Sequence, residues 1–422
     1  MNTKNKGLNI IGYIDGEFGL GEAVRLNIEA AKSQAIPLHL IDYEKIKKNP
    51  DLVVEFKYSV SLVQISLKDL DNFFRIIDPE LFKFRYTILF LMWESEYLPP
   101  EHSENLSLFN EIWTASSFCK SIFKRVYNNP ITIVPHPVAF KLNGIGKNIG
   151  RNFFDPTKFS FLFIFSYHSS MERKNPIFLV EAFNRAFSEN DSVELIIKTS
   201  GAMAFRKENT QLLKIASSHK NIKIYDVDLE KDGINHLIND CDCYVSMHHS
   251  EGFGLTLAEA MYLGKPTIAT NYSGNTQFMN AENSFLVDYK LGSIEKADKN
   301  FCANTIWGHP LLEDAIAKLK EAYFNKSCRD FKAHKAKAYM EREFSFKNIG
   351  QIMQYRLDDI YKASGDLIST QNAYLLNQLQ FVKAENAHLQ REIKRMKKNL
   401  IIRFILFLKN KTRIIKNSFR AA

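Results

Sequence analysis

Cysteine is scarce and badly spaced, which removes two common frameworks at once. Cys119, Cys241, Cys243, Cys302 and Cys328 are odd in number and scattered over 422 residues. Cys241-x-Cys243 has no second Cys/His pair at zinc spacing and falls where a buried strand should begin, so reduced core thiols in a cytosolic protein are expected. No run of about 18 apolar residues occurs, and Met1–Lys6 has no apolar signal core, so neither secretion nor a membrane span is expected. An even spread of positive charge is lacking too. The net +9 is confined to the end, where residues 390–422 hold eleven Lys/Arg and one acid, Glu392. The rest is close to neutral, which removes the electrostatic ground for a nucleic-acid surface on the body.

What is present is the composition of a globular protein, 45% hydrophobic and 24% charged, long enough for two domains and an appendage. Short apolar runs alternate with helix-length segments in two blocks. The first predicts strands over 8–12, 38–41, 60–65, 86–91, 112–114 and 131–134, with helices over 20–34 and 118–127. The second predicts strands over 159–165, 193–198, 222–225, 243–247, 267–269 and 285–287. Runs such as Phe161-Leu162-Phe163-Ile164-Phe165 mark strands buried on both faces, hence parallel sheets covered by helices. A Gly/Asn-rich stretch between Lys141 and Pro156 suits a hinge. The expected architecture is α/β: two doubly wound parallel-sheet (Rossmann-like) domains, 1–145 and 156–343, facing each other across a cleft. Ligands then bind outside the carboxyl ends of the strands.

Beyond the body, 344–362 reads as a closing helix. Ile368, Leu375, Leu379, Val382, Leu389, Ile393, Met396 and Leu400 then fall on a and d positions of a heptad, with Asn372 and Asn386 at a. This predicts a coiled coil over 366–400 and a homo-oligomer through it; a lone amphipathic helix docked on the body is the other reading. The tail, 401–422, joins apolar bulk to Lys409, Lys411, Arg413, Lys416 and Arg420. It is too short to span a bilayer and suits the surface of an anionic membrane, or an extension of the oligomer contact.

The chemistry concentrates at Ser250-Glu251-Gly252-Phe253-Gly254-Leu255-Thr256-Leu257-Ala258-Glu259. A strand ends before it and a helix starts near Gly254. The free N–H groups and positive dipole end of that helix favour a diphosphate, and Gly252 and Gly254 let a ligand approach the backbone. Glu251 and Glu259, more than a helical turn apart, suit hydroxyl pairs at opposite ends of one bound molecule, as on a nucleotide sugar. Two further loops follow first strands of their blocks: Arg173-Lys174 in the second, and Gly19-x-Gly21 in the first. Each is a ligand loop or, taken alone, a solvated charge pair and a tight turn.

Glu-x₇-Glu in this setting, continuing as Gly264-Lys265-Pro266, resembles the family-4 retaining glycosyltransferases of the GT-B fold, specifically over 242–287 and in pattern over 7–361. The resemblance implies that Glu251 contacts the donor sugar and that the Gly252, Phe253, Gly254 and Leu255 backbone lies near sugar and phosphate. It also implies that Glu259 binds the ribose. Lys174 and Arg173 then face the donor diphosphate as catalytic residues with Glu251, and Gly19 and Gly21 lie beside the phosphates. An arginine of the family pattern is missing before Arg173, where His168 stands nearby. Many relatives also carry a histidine after a middle strand of the first domain, where this chain has Trp93-Glu94. Those two residues either shape the sugar and acceptor site or, for Glu94, cap the strand; His136 is read as structural.

The activity so implied is transfer of a hexose from a nucleotide diphosphate sugar to a hydroxyl of a glycan or lipid-linked acceptor, with retention, in bacterial surface polysaccharide or lipopolysaccharide assembly. No cofactor and no metal are expected; Asp240-x-Asp242 precedes a strand instead of lining a cleft. The implied location is cytoplasmic or peripheral on the inner membrane face. A glycan-binding or scaffold protein on the same fold is one alternative, and a sugar-nucleotide epimerase or hydrolase is another.

Overall fold

A computed structural model gives the structure of the chain, and it describes residues 6–49, 52–77, 79–82, 85–140, 142, 153–294, 301, 305–367, 388–389, 391–396 and 400. Most of the expected coiled coil, all of the tail after 400, Cys302 and most of the 141–156 stretch lie outside these residues.

Two six-stranded, all-parallel sheets form the body. The first runs β2-β1-β3-β4-β5-β6, with β1 Leu8–Gly12, β2 Leu38–Asp42, β3 Val60–Gln64, β4 Tyr86–Phe90, β5 Glu111–Thr114 and β6 Ile131–Ile133. The second runs β12-β11-β10-β7-β8-β9, with β7 Phe159–Ile164, β8 Val193–Thr199, β9 Ile222–Asp226, β10 Cys243–Ser246, β11 Thr267–Thr270 and β12 Phe285–Val287. The edge strands β2, β6 and β9 are mostly half-buried, while the inner strands are almost wholly buried, β1, β3 and β8 at every position. This is why their sequences read as continuous apolar runs. Each sheet reverses its strand order once, between β1 and β3 in the first and between β7 and β10 in the second. Crevices open at such reversals, so the topology fixes where ligands can enter.

Expected strand ends differ by at most one residue from those observed, and 8–12 and 285–287 coincide. The helix expected over 118–127 is shorter, Ser117–Phe123, because the Ser116 hydroxyl caps it one residue earlier and the chain turns after Lys124. An antiparallel pair, β13 Tyr289–Ser293 with β14 Ile306–Pro310, lies outside both sheets and was not expected.

The closing helix, Phe346–Leu367, follows the second block yet docks on the first. Gly350 lets it approach the Gly19–Ser33 helix so closely that a Cβ would overlap the Ala30 carbonyl. Ser33 Oγ donates to Phe346 O at 2.8 Å, and Gly7 N–H donates to Tyr361 Oη at 2.9 Å. Its strongest tie is electrostatic. Glu111, fully buried in β5, accepts from Arg356 Nε at 2.8 Å and Nη2 at 2.8 Å, from Tyr86 Oη at 2.9 Å and from Trp113 Nε1 at 3.0 Å. Removing one partner of a buried ion pair strands the other charge. Arg356→Ala is therefore expected to cost about 3 kcal/mol, read as a lower urea midpoint. Glu111→Gln in the same background should recover part of that loss, because the stranded carboxylate is gone.

Near the C-terminus the described residues 391–396 are helical, and Arg391 Nη2 lies 3.3 Å from Asp71 Oδ1 of the first sheet's domain. Leu389, Ile393, Met396 and Leu400 are about half exposed or more. No described helix is long and apolar enough to cross a membrane.

Candidate functional site

The order reversal between β7 and β10 brings together two loops that lie some 75 residues apart in sequence. They are stitched by three bonds: His249 N–H to Arg173 O at 2.8 Å, Asn175 Nδ2 to Met247 O at 3.0 Å, and Arg173 Nη1 to Ser250 O at 2.8 Å. The loop after β7 turns into the short helix Met171–Lys174 through Ser170 and leaves it through Asn175, both at positive φ. That geometry turns Arg173 and Lys174 inward.

Both cations meet Glu251. Arg173 Nη1 lies 3.0 Å from Glu251 Oε2, and Lys174 Nζ pairs with Glu251 Oε1. The three side chains are 7%, 15% and 10% exposed, so water does little of the neutralising. Burial by itself would raise the Glu251 carboxyl, but Lys174, then Arg173, outweigh it and hold it well below the ordinary carboxylate range. Burial pulls the Lys174 ammonium down, against the raising effect of Glu251. Two buried cations facing one carboxylate leave a local excess of one positive charge, the sign a diphosphate requires.

The Ser250–Glu259 segment follows the expected strand–loop–helix path. Gly254 has φ +95°, a conformation that favours glycine, and the helix Leu255–Tyr262 starts immediately after it. A side chain at Gly252 would sit 3.0 Å from Met92 Cβ and 3.8 Å from Glu94 Cγ, so this glycine is where the first domain touches the segment. Ser116 Oγ donates to Gly252 O at 2.8 Å. The Phe253 ring turns away into the core against His136, Phe278 and Phe344, which leaves only its backbone for a ligand.

Glu259 sits on the same helix, 3% exposed, and pairs with Lys231 Nζ at the start of the Lys231–Asp240 helix. Burial raises its carboxyl, and Lys231 opposes the rise. Across the cleft Glu22 lies 4.0 Å from Lys231, so a first-domain acid reaches the same cation. Lys231 and Glu22 were not singled out from sequence. Lys231 lies among Asp228, Glu230 and Asp232, and nothing local distinguishes it from a solvated charge run.

Facing this set, the reversal between β1 and β3 supplies the opposite wall. A cleft pocket of about 380 Å³ is lined by Leu20, Gln64, Ser66, Lys68, Phe90 to Glu94, His168, Arg173 and Phe301. Among the described residues Glu94 is the sole acidic one in the lining. Trp93 contributes a ring wall; its indole N–H is spent on Ser95 Oγ and Tyr97 O, both at 2.9 Å. His136 stays outside the pocket lining, stacked on Phe90, and burial lowers it to about 3.

The two glycines of Gly19-x-Gly21 separate by role. A Cβ on Gly21 would collide with the Gly16 carbonyl, whereas one on Gly19 would meet nothing within 4 Å. Gly21→Ala is expected to distort the turn at a cost of about 1–3 kcal/mol. Gly19→Ala is expected to fold normally, with any loss confined to the KM for donor in initial-rate assays.

Asp242 accepts from Ser160 N–H at 2.8 Å at the amino end of β10, the far edge of the sheet from this site. Among the described residues no group of three or more His, Cys, Asp or Glu is placed to hold a metal ion. Cys119, Cys241, Cys243 and Cys328 are free thiols, the first three buried.

Residues 152–299 match the family Glycosyl transferases group 1. Comparison with curated proteins gave no significant match. Among solved structures, Anabaena HepE in complex with UDP and glucose is 12% identical, with a TM-score of 0.60 over 84% of this chain and 100% of that one. A glycosyltransferase from Rickettsia africae aligns at 12% identity and a TM-score of 0.62 over 85% of this chain and 99% of that one. Sucrose-phosphate synthase from Thermosynechococcus elongatus aligns at 12% identity and a TM-score of 0.62, covering 85% and 100%. Residues 152–299 are thus similar to the group 1 glycosyltransferases, and the two-sheet architecture is that of the GT-B fold.

Proposed function

We propose that this chain moves a hexose from a nucleotide diphosphate sugar to a hydroxyl of a glycan or lipid-linked acceptor, with retention at the anomeric carbon. The observation that carries the reading is the buried Arg173–Glu251–Lys174 cluster at the mouth of the β7/β10 reversal. A donor diphosphate entering there exchanges places with the carboxylate as partner of the two cations. Glu251 is thereby released toward the sugar hydroxyls, and the cations stabilise the leaving diphosphate. The Leu255–Tyr262 helix adds its amino-terminal dipole, and Glu259 takes the ribose once Lys231 yields it.

In this reading residues 1–145 are the acceptor-side domain and 156–343 the donor-binding domain. Retention follows from the acceptor attacking on the face that the diphosphate leaves, with the departing phosphate taking the proton. Retaining glycosidases instead use a carboxylate pair about 5 Å apart. Glu251 and Glu259 are each paired with their own cations and serve as binding groups. No metal or other cofactor takes part. HepE is a neighbour of the same fold with UDP and glucose bound, so uridine donors come first on the test panel. Assembly of a bacterial surface polysaccharide, a cytoplasmic location peripheral to the inner membrane face, and a dimer through residues 366–400 complete the proposal.

The test is a panel of uridine, guanosine and adenosine diphosphate sugars with glycan and lipid-linked acceptors. The expected result is acceptor-dependent release of nucleoside diphosphate. Nucleotide release without acceptor points to hydrolysis, and tight binding without turnover points to a scaffold.

A further inference from the structure

Ser273 holds a backbone conformation that its residue type disfavours. Its φ is +80° and its ψ is −148°, a region essentially reserved for glycine, yet a serine with a Cβ occupies it, 4% exposed. Such strain persists only where the surroundings impose it, and here they are on the page. The Ser273 hydroxyl accepts from the Glu251 N–H at 2.8 Å and donates to the Tyr272 carbonyl. The next residue closes the other side, Gly274 N–H donating to Glu251 O at 2.8 Å. Gly274 itself admits no side chain, since a Cβ would overlap the Gly252 carbonyl. Both backbone polar groups of Glu251 are therefore bracketed by two consecutive residues of the β11 exit loop.

We infer that Ser273 is a positioning residue, whose hydroxyl fixes the backbone from which the Glu251 carboxylate reaches its ligand. The inference rests on the proposed donor role of Glu251. A glycine at 273 would reach the same backbone path without strain but would leave the Glu251 N–H buried with no acceptor. Serine at 273 thus keeps a less comfortable backbone in exchange for one aimed hydrogen bond.

The side chain has two separable parts, which makes the idea testable. Ser273→Gly removes both strain and hydroxyl; Ser273→Ala keeps the strained Cβ and loses the hydroxyl. If the hydroxyl positions Glu251, stability reflects the backbone strain and the hydrogen bond together, while catalysis follows the oxygen alone. The expected melting temperature of S273G lies within about 3 °C of the parent, and S273A falls below both. Both variants should lose about tenfold or more in kcat, with the Kd for nucleoside diphosphate within about threefold of the parent. Amide hydrogen exchange over residues 249–254 should quicken by about tenfold or more in both. Parental exchange and parental kcat in S273G would overturn the inference. If the parent chain transfers no sugar on the full donor panel, the donor reading falls on its own; the exchange measurement still judges the bracket, unchanged rates overturning it and faster rates supporting it.

Discussion

Glu251→Gln is expected to lower sugar transfer by about 10²–10³-fold and also to weaken the fold. The double effect follows from the geometry of the site. Arg173 and Lys174 are buried and face the same carboxylate from both sides. An amide cannot neutralise them, and leaving a charge buried without its partner costs about 3–5 kcal/mol. The sequence alone suggests a cleaner outcome, lost transfer with folding intact, because it shows Glu251 only as a ligand-holding group. The same argument predicts a rescue. Nucleoside diphosphate brings negative charge to those cations, so it should raise the melting temperature of E251Q by more than it raises that of the parent. Transfer at the parental rate by E251Q would sink the donor assignment. Unequal rescue without transfer would separate the two jobs of the carboxylate, balancing charge when the site is empty and holding sugar when it is filled.

How much of this was legible beforehand depended on whether the signal was local. The buried strands announce themselves as apolar runs, and Glu251 through Glu259 sit in one uninterrupted strand–loop–helix stretch, so that path is legible from one window. Arg173 and Lys174 were visible as a charge pair after a first strand. Their contact with Glu251 was not, because it depends on the order reversal between β7 and β10. Glu22, Lys231 and Ser273 belong to the same cluster but carry no mark of their own: Glu22 is an acid beside the glycine loop, Lys231 sits in a charge run, and Ser273 reveals itself only by its φ. Glu111 and Arg356 illustrate the extreme. Their separation of 245 residues hides a bidentate pair that sequence patterning has no means of finding. The Lys326–Glu343 helix escaped for a different reason. Only Ala333, Ala336 and Met340 are buried in it, too few for a clear apolar stripe.

Acidification below about pH 6.5 is expected to unfold the chain well before its carboxylates titrate. Three buried histidines are responsible. Burial lowers His136 to about 3, where Phe90, Phe253 and Met92 surround it and Nδ1 has no partner among the described residues. Burial lowers His248 to about 4, with Glu251 and Asn275 opposing and Lys174 reinforcing. Burial, then His309, lowers His249 to about 3, where it stacks on Trp307. Each stays neutral in the folded chain and binds a proton once unfolded. Stability is therefore complete above about 6.5 and declines as pH falls toward the folded values, by about 1.4 kcal/mol per pH unit for each group. Three together give roughly 6 kcal/mol by pH 5, comparable with the whole stability of many domains. Glu259 acts in the opposite sense, since its carboxyl is raised, but one such group does not offset three. Thermal melts at pH 7.5, 6.0 and 5.0 should show a steep fall. His136→Phe keeps the aromatic packing and sacrifices no hydrogen bond at Nδ1, so it should remove about a third of the slope without harming stability at pH 7.5. A slope untouched by that substitution would mean that His136 is already protonated in the fold, contrary to its buried and aromatic surroundings.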